Sequence, residues 1–378
     1  MKILIVSDAW YPQINGVVRS LESTIRELKR MGHIVHVHGP DASQWNTISA
    51  PSYASIKLEF FGRKRLERAW DDFQPDFIHI ATEGPLGWVA RNLCMALRRP
   101  FTTSYHTRFP EYLAARTPKG MRRAIRIAAY AVLRRFHAPS AALMVATNSI
   151  EIELQRKKFR RLVRWSRGVD SDLFKPYEKY IESFALFKRP ILLNVGRVAV
   201  EKNLRAFLNC KTVGTKVVIG EGPDLLRLKT DYPEAKFMGA MEGEQLARHF
   251  AAADLFVFPS MTDTFGLVLL EAAASGLRIA SYPAPGPVDV LLPETTNQFA
   301  VLNEDLQQAI DQALLLSDDP NIPRQFALGF SWPACTKIFY DHLQAPTPKA
   351  IKRITRLRNW LGRSWQRALA LVFRQWHA

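Results

Sequence analysis

The chain has 378 residues, 47% of them hydrophobic, which exceeds what one core usually serves and suffices for two domains of roughly 150 to 180 residues. Fifty-two Lys and Arg stand against thirty-five Asp and Glu, and fifteen of the seventeen excess charges fall in two acid-free segments, 112–150 and 346–378, so the near-neutral remainder excludes a generally basic nucleic-acid binder. Cys94, Cys210 and Cys335 lack the spacing of a disulfide framework or zinc site and fit reduced cytoplasmic thiols, and no run of about eighteen apolar residues offers a membrane span.

An apolar run at 3–6 opens the chain and reads as a buried strand. The loop after it, Asp8 to Val18, holds no G-x-G-x-x-G, which disfavours a nicotinamide-dependent dehydrogenase. Gly16, ahead of a helix over about 18–31, can bring backbone close to a ligand and offer its N–H to a phosphate. Strands at 34–37, 77–80 and 101–105, a helix near 86–97 and a short run at 143–145 give the rhythm of βαβ units. His106 follows the 101–105 strand and suits hydrogen bonding to a substrate. The pattern weakens through 168–176, where Asp170 and Asp172 read as turn chemistry, and an interdomain linker is expected near 170–185.

The rhythm restarts with strands at 191–195, 216–219, 236–238, 255–258 and 278–281, so two doubly wound domains facing a cleft are expected. Arg197 and Lys202 follow the first of these strands, two cations at one strand edge beside free backbone N–H groups, a place that suits a diphosphate. After the 255–258 strand, Asp263 and Glu271 stand eight positions apart around Phe265, Gly266 and Leu267, where carboxylates can grip sugar hydroxyls.

Two basic segments have amphipathic spacing. In the tail 346–378, Ile354, Leu357, Leu361, Trp365, Ala368, Val372 and Trp376 share one side, with Arg356, Arg363 and Arg367 opposite and Trp360 in the same stretch. In 116–136, Met121, Ile125, Ala128, Val132 and Phe136 form a stripe with Lys119, Arg122, Arg123 and Arg126 opposite. At about 1 kcal/mol per cation near an anionic leaflet, the two clusters together are expected to anchor the protein to a membrane surface.

Together the segments resemble the family 4 glycosyltransferases, retaining enzymes of the GT-B fold. The likeness covers roughly residues 1–342 and is carried by Gln13 to Val18, Tyr105-His106-Thr107, Gly168-Val169-Asp170, Gly196-Arg197 with Glu201-Lys202-Asn203, Gly220-Glu221-Gly222, Phe265-Gly266-Leu267 with Glu271, and Phe330-Ser331-Trp332. The family's Glu-x7-Glu pair has Asp263 in its first place here. The resemblance implies an acceptor-binding Rossmann-like domain at 1–172, a nucleotide-sugar-binding one at 173–330, a helix at 331–345 crossing back, and a membrane-binding tail at 346–378. It further implies that Arg197 and Lys202 hold the donor diphosphate in place of a metal, with Gly16 giving an N–H to the β-phosphate. Glu271 would bind the ribose, Asp263 and residues 265–267 the hexose, and His106 would lie beside the reacting sugar.

The branch that looks most similar uses lipid acceptors such as diacylglycerol. The expectation is therefore transfer of a hexose from a nucleotide diphosphate sugar, UDP-sugar first and GDP-mannose second, to a lipid at the inner face of the cell membrane. The expected α-glycolipid forms with no cofactor or metal and no nucleic-acid partner. A nucleotide-sugar epimerase is the rival within enzymes.

Overall fold

In the computed structural model, the described residues are 1–13, 15–41, 47–50, 53–60, 62–115, 117–179, 181–291 and 296–344. The tail residues Arg356, Trp360, Arg363, Trp365, Arg367 and Trp376 lie outside them. The chain divides into two units, the first comprising 1–146, 151–165 and 336–378, the second 147–150 and 166–335.

The opening strand β1 (Lys2–Val6) is apolar on both faces because both faces are covered. Leu4 and Val6 pack with Ile78, Ile80, Leu66, Trp70, Leu86, Val89 and Phe136, while Ile3 and Ile5 pack with Leu21, Ile25, Leu28, Trp165 and Phe339. This period-two alternation puts the strand at the centre of the unit. The sheet adds β2 (Ile34–His38), β5 (Phe77–Ile80), β6 (Thr102–Tyr105), β7 (Leu143–Val145) and β8 (Leu162–Arg164) in the order β2-β1-β5-β6-β7-β8, all parallel. An antiparallel hairpin, β3 (Thr47–Ala50) with β4 (Tyr53–Glu59), stands outside the sheet and was not legible in the sequence.

The second unit has its own parallel sheet of β9 (Ile191–Val195), β10 (Thr215–Ile219), β11 (Lys236–Phe237), β12 (Leu255–Phe258), β13 (Arg278–Ser281) and β14 (Ala300–Leu302). Its order is β11-β10-β9-β12-β13-β14. From β9 the chain winds outward through β10 to β11, then returns to place β12 on β9's other side. The crevice outside the carboxyl ends of β9 and β12 is therefore a topological switch point, where open α/β sheets bind ligands.

The expected boundaries shift. Apart from 147–150, the chain passes to the second unit between Trp165 and Ser166 rather than at 172/173, and 170–185 is no free linker. Phe174 packs edge-on to Phe250 at 5.7 Å, and buried Phe184 packs edge-on to His249 at 5.2 Å, so both aromatics fasten this stretch to the second unit. Asp170 does act as a turn residue, accepting from Leu173 N–H at 3.2 Å. The last helix, Trp332–Leu343, starts in the second unit and continues from Thr336 in the first, where Phe339 and Leu343 enter the core.

Candidate active site

The turn after β9 carries the two expected cations. Residues Val200–Lys202 form a short 3-10 turn, and Asn203 leaves it with φ 53°, a left-handed conformation that Asn tolerates, while its Nδ2 donates to Pro259 O at 3.2 Å. The turn lies against backbone: a Cβ at Gly220 would stand 1.9 Å from Gly196 O, so only glycine fits there.

Carboxylates set both cations. Arg197 Nη2 pairs with Glu201 four residues on, whose side chain is 3% exposed. Lys202 Nζ donates to Asp263 Oδ1 at 2.6 Å and Oδ2 at 2.9 Å. The Glu201 carbonyl in turn accepts from the Ser260 and Thr262 hydroxyls at 3.4 and 3.3 Å, joining the loops after β9 and β12. Glu201 has no role in the sequence reading, although its i+4 spacing from Arg197 was visible there.

After β12 the backbone turns at Gly266, φ +86°, a left-handed cap for the helix Leu267–Ala274. Phe265 is buried at the turn, and Glu271 is buried within a helix whose neighbours Leu269 to Ala274 are buried as well. A carboxylate in so apolar a helix is expensive to keep unless it meets polar groups. Arg197, Lys202, Asp263, Phe265, Gly266, Leu267 and Glu271 thus all belong to the segments that leave β9 and β12 at the switch point. The sequence assigned Lys202 to phosphate and Asp263 to sugar; the structure bonds them directly to each other.

His106 and Gly16 lie in the first unit, at the carboxyl ends of β6 and β1. The His106 ring packs edge-on to buried Trp165 at 5.8 Å. Gly16 opens the helix Gly16–Arg30, where Asn15 Oδ1 accepts from Val17 and Val18 N–H at 2.9 and 3.1 Å. The first residue of this loop, Asp8, has no role in the sequence reading. Asp8 Oδ1 accepts from Leu86 N–H at 2.9 Å, and Oδ2 accepts from the Thr82 hydroxyl at 2.9 Å and Gly87 N–H at 3.2 Å.

Burial pushes the Asp8 carboxyl up to about 6, against these three bonds, which favour the anion; the Glu83 charge adds to the rise. With the folded value above the unfolded one, the stabilising contribution is complete below about 3.8 and is lost as pH rises through about 6. Unfolding free energy of Asp8→Asn, followed by denaturant titration between pH 4 and 6.5, is expected to lose this slope, on the order of 2–3 kcal/mol across the window. Parallel curves for variant and wild type would contradict it.

The basic helix differs from its expected form. In Arg122–His137 the core side consists of Tyr130, Leu133, Phe136 and His137, so Phe136 cannot join an outward stripe with Met121. A 3.6-residue repeat shows that a stripe exists but not which side faces the core. The solvent side instead carries Ala124, Ala128, Ala131, Met121 at 58% and Ile127 at 59% exposure, with Lys119, Arg122 and Arg123 exposed nearby. Arg126 is also exposed and lies 3.5 Å from Glu111. Among the described residues no helix is long and apolar enough to cross a membrane, and no group of three or more His, Cys, Asp or Glu stands where it could hold a metal ion.

Comparison with known proteins decides the family. Residues 14–173 match Glycosyltransferase Family 4 and residues 189–319 match Glycosyl transferases group 1. A GDP-mannose-dependent alpha-mannosyltransferase of Mycolicibacterium smegmatis is 30% identical over 314 residues, covering 78% of this chain and 82% of that protein. The chain belongs to glycosyltransferase family 4.

A GDP-mannose-dependent alpha-mannosyltransferase of Mycobacterium tuberculosis is 27% identical over 91% of this chain and 97% of that protein. An alpha-monoglucosyldiacylglycerol synthase of Streptococcus pneumoniae is 25% identical over 85% and 80%. Among solved structures, sucrose-phosphate synthase of Thermosynechococcus elongatus matches with TM-score 0.69 at 20% identity, covering 99% of this chain and 98% of that one. The two six-stranded parallel sheets are the Rossmann-like halves of the GT-B fold, and this family 4 member is a hexosyltransferase.

Proposed function

We propose that the enzyme transfers a hexose from a nucleoside diphosphate sugar to a hydroxyl of a membrane lipid, retaining the α configuration. The observation that carries this reading is the gathering of Arg197, Lys202, Asp263 and Glu271 at the β9/β12 switch point, in a chain of this family. Arg197 and Lys202 supply positive charge where the leaving diphosphate gains negative charge, and do so without a metal. Asp263 and Glu271 accept hydrogen bonds from hexose and ribose hydroxyls.

The anomeric carbon–oxygen bond to the diphosphate breaks as the acceptor oxygen bonds to the same face of that carbon. The acceptor's proton passes to the departing phosphate oxygen, and the nucleoside diphosphate leaves. His106 borders the reacting sugar, and Gly16 N–H donates to the β-phosphate.

The family resemblance puts UDP-sugar first and GDP-mannose second as donor, with no residue deciding between them. Two relatives act with GDP-mannose by their names, and this likeness makes GDP-mannose the first donor to test. The diacylglycerol-glucosylating relative supports a lipid acceptor. The exposed Met121, Ile127, Lys119, Arg122 and Arg123 support contact with an anionic bilayer, as does the composition of 346–378. A peripheral place on the inner face of the cell membrane follows.

The test incubates the enzyme with radiolabelled GDP-mannose, UDP-glucose and other nucleotide sugars, with and without anionic vesicles containing extracted lipid. A labelled α-glycolipid from GDP-mannose is expected, with yield falling when 346–378 are deleted because less enzyme sediments with vesicles. Isomerised nucleotide sugar formed without lipid would establish the epimerase reading instead, and unchanged sedimentation would dismiss the tail as an anchor.

A further inference from the structure

The first unit's sheet ends in side chains that the donor site does not use. Ile80 of β5 pairs with Thr103 of β6, so Glu83 and His106, each three residues further on, leave neighbouring strands at the same level. Val6 of β1 pairs with Ile80, and Asp8 correspondingly meets Thr82. Asp8, Glu83 and His106 therefore lie along one sheet edge.

Glu83 is held from below. Its Oε1 lies 3.2 Å from His137 Nε2, while His137 Nδ1 lies 2.9 Å from Thr103 Oγ1. A neutral imidazole that accepts the Thr103 hydroxyl at Nδ1 and donates from Nε2 to the carboxylate satisfies both contacts. The His137 side chain is 2% exposed but that of Glu83 is 16% exposed, and Glu83 Oε2 has no hydrogen-bond partner among the described residues. In the same sheet, buried His79 meets the Thr102 and Ser104 hydroxyls, each at 2.9 Å. His137 instead fixes an anion whose second oxygen faces solvent at the ligand-binding edge.

We propose that Glu83, positioned by His137, binds the acceptor's hydroxyl groups and selects an electrically neutral, hydroxyl-bearing headgroup over an anionic one. A fixed carboxylate accepts a hydrogen bond from the hydroxyl of a neutral headgroup, whereas a phosphate-bearing headgroup meets like charge from Glu83 and, when ionised, Asp8. The exposed cations of the Arg122–His137 helix then serve attraction to the bilayer, while the sheet edge sets the acceptor's charge. This inference rests on the lipid-acceptor reading and names the headgroup class.

The experiment compares full-length wild type, Glu83→Gln and Glu83→Asp with dioleoylglycerol and phosphatidylinositol in mixed micelles. It reads acceptor KM, donor KM, kcat and Tm. Wild type is expected to favour dioleoylglycerol. Glu83→Gln is expected to raise its KM by about 10-fold or more, the scale of one charged hydrogen bond, with donor KM within about twofold, and to narrow the preference between the lipids. Glu83→Asp, which keeps the charge, should recover part of the loss and carries the test if Glu83→Gln lowers Tm. An unchanged acceptor KM, an equal rise in donor KM, or a wild-type preference for phosphatidylinositol overturns the inference alone. Transfer to neither lipid by wild type overturns the lipid-acceptor reading together with it.

Discussion

Lys202→Ala is expected to lower kcat by about 10²–10³, the usual loss when one preorganised group facing developing charge is removed. The side chain is 24% exposed at the rim of the second sheet, outside the core built from Leu192, Val218, Leu255 and Val257, so Tm should change little. Its partner makes the result specific. Lys202 is paired with Asp263, so a defect in Lys202→Ala could reflect either the lost cation or the released carboxylate. Asp263→Asn keeps the cation while removing the charged partner, and is expected to retain far more turnover with a raised donor KM. Steady-state kinetics of both variants separate these effects. Near-normal turnover in Lys202→Ala would refute the diphosphate role, and equal losses in both variants would make the pair, rather than the cation, the functional unit.

Trp165→Ala is expected to cost about 3–5 kcal/mol, the range for truncating a large buried aromatic, and to lower Tm on the order of 10 °C. Trp165 is fully buried, with ring centroids 4.6 Å from Phe339, 6.1 Å from His79 and 5.8 Å from His106. Its removal opens the core under β1 and takes away the wall against which His106 rests. Below its melting temperature the variant should therefore also show reduced kcat with a smaller change in donor KM, because Arg197, Lys202 and Glu271, proposed to hold the diphosphate and ribose, lie in the second unit. Trp165→Phe, which keeps an aromatic wall, should lose less on both counts. Thermal unfolding alongside kinetics checks this, and a Trp165→Ala protein melting with wild type would contradict the packing argument.

These expectations show where sequence carried information and where it did not. Strands buried on both faces, such as β1, β5, β9 and β12, announce themselves as short apolar runs, because a polar residue there, such as His79 or Asn194, must find a buried hydrogen-bond partner. The edge strands β8 and β14 are three residues long and only partly buried, so Leu162–Arg164 and Ala300–Leu302 are too short to show a period. Phe184 was passed over inside an apparent linker because an isolated aromatic has no period. The side chains that the second sheet places at its switch point were legible because Arg197 and Lys202 are close in sequence and both follow a strong strand, as Asp263 and Glu271 do. Glu83 and His137 are 54 positions apart and come together only through the stacking of β5, β6 and a helix. Their pairing has no local signature.

On the proposed reading, Arg197, Lys202 and Glu271 form one nucleoside diphosphate site that needs no metal. Titration calorimetry of GDP and UDP into the full-length protein in EDTA tests it most directly, with Arg197→Ala, Lys202→Ala and Glu271→Gln beside wild type. Saturable binding of at least one nucleotide that persists in EDTA and weakens by about 10-fold or more in each variant is the predicted result. Absence of binding to wild type without a divalent cation, or equal affinity in all four proteins, would contradict it.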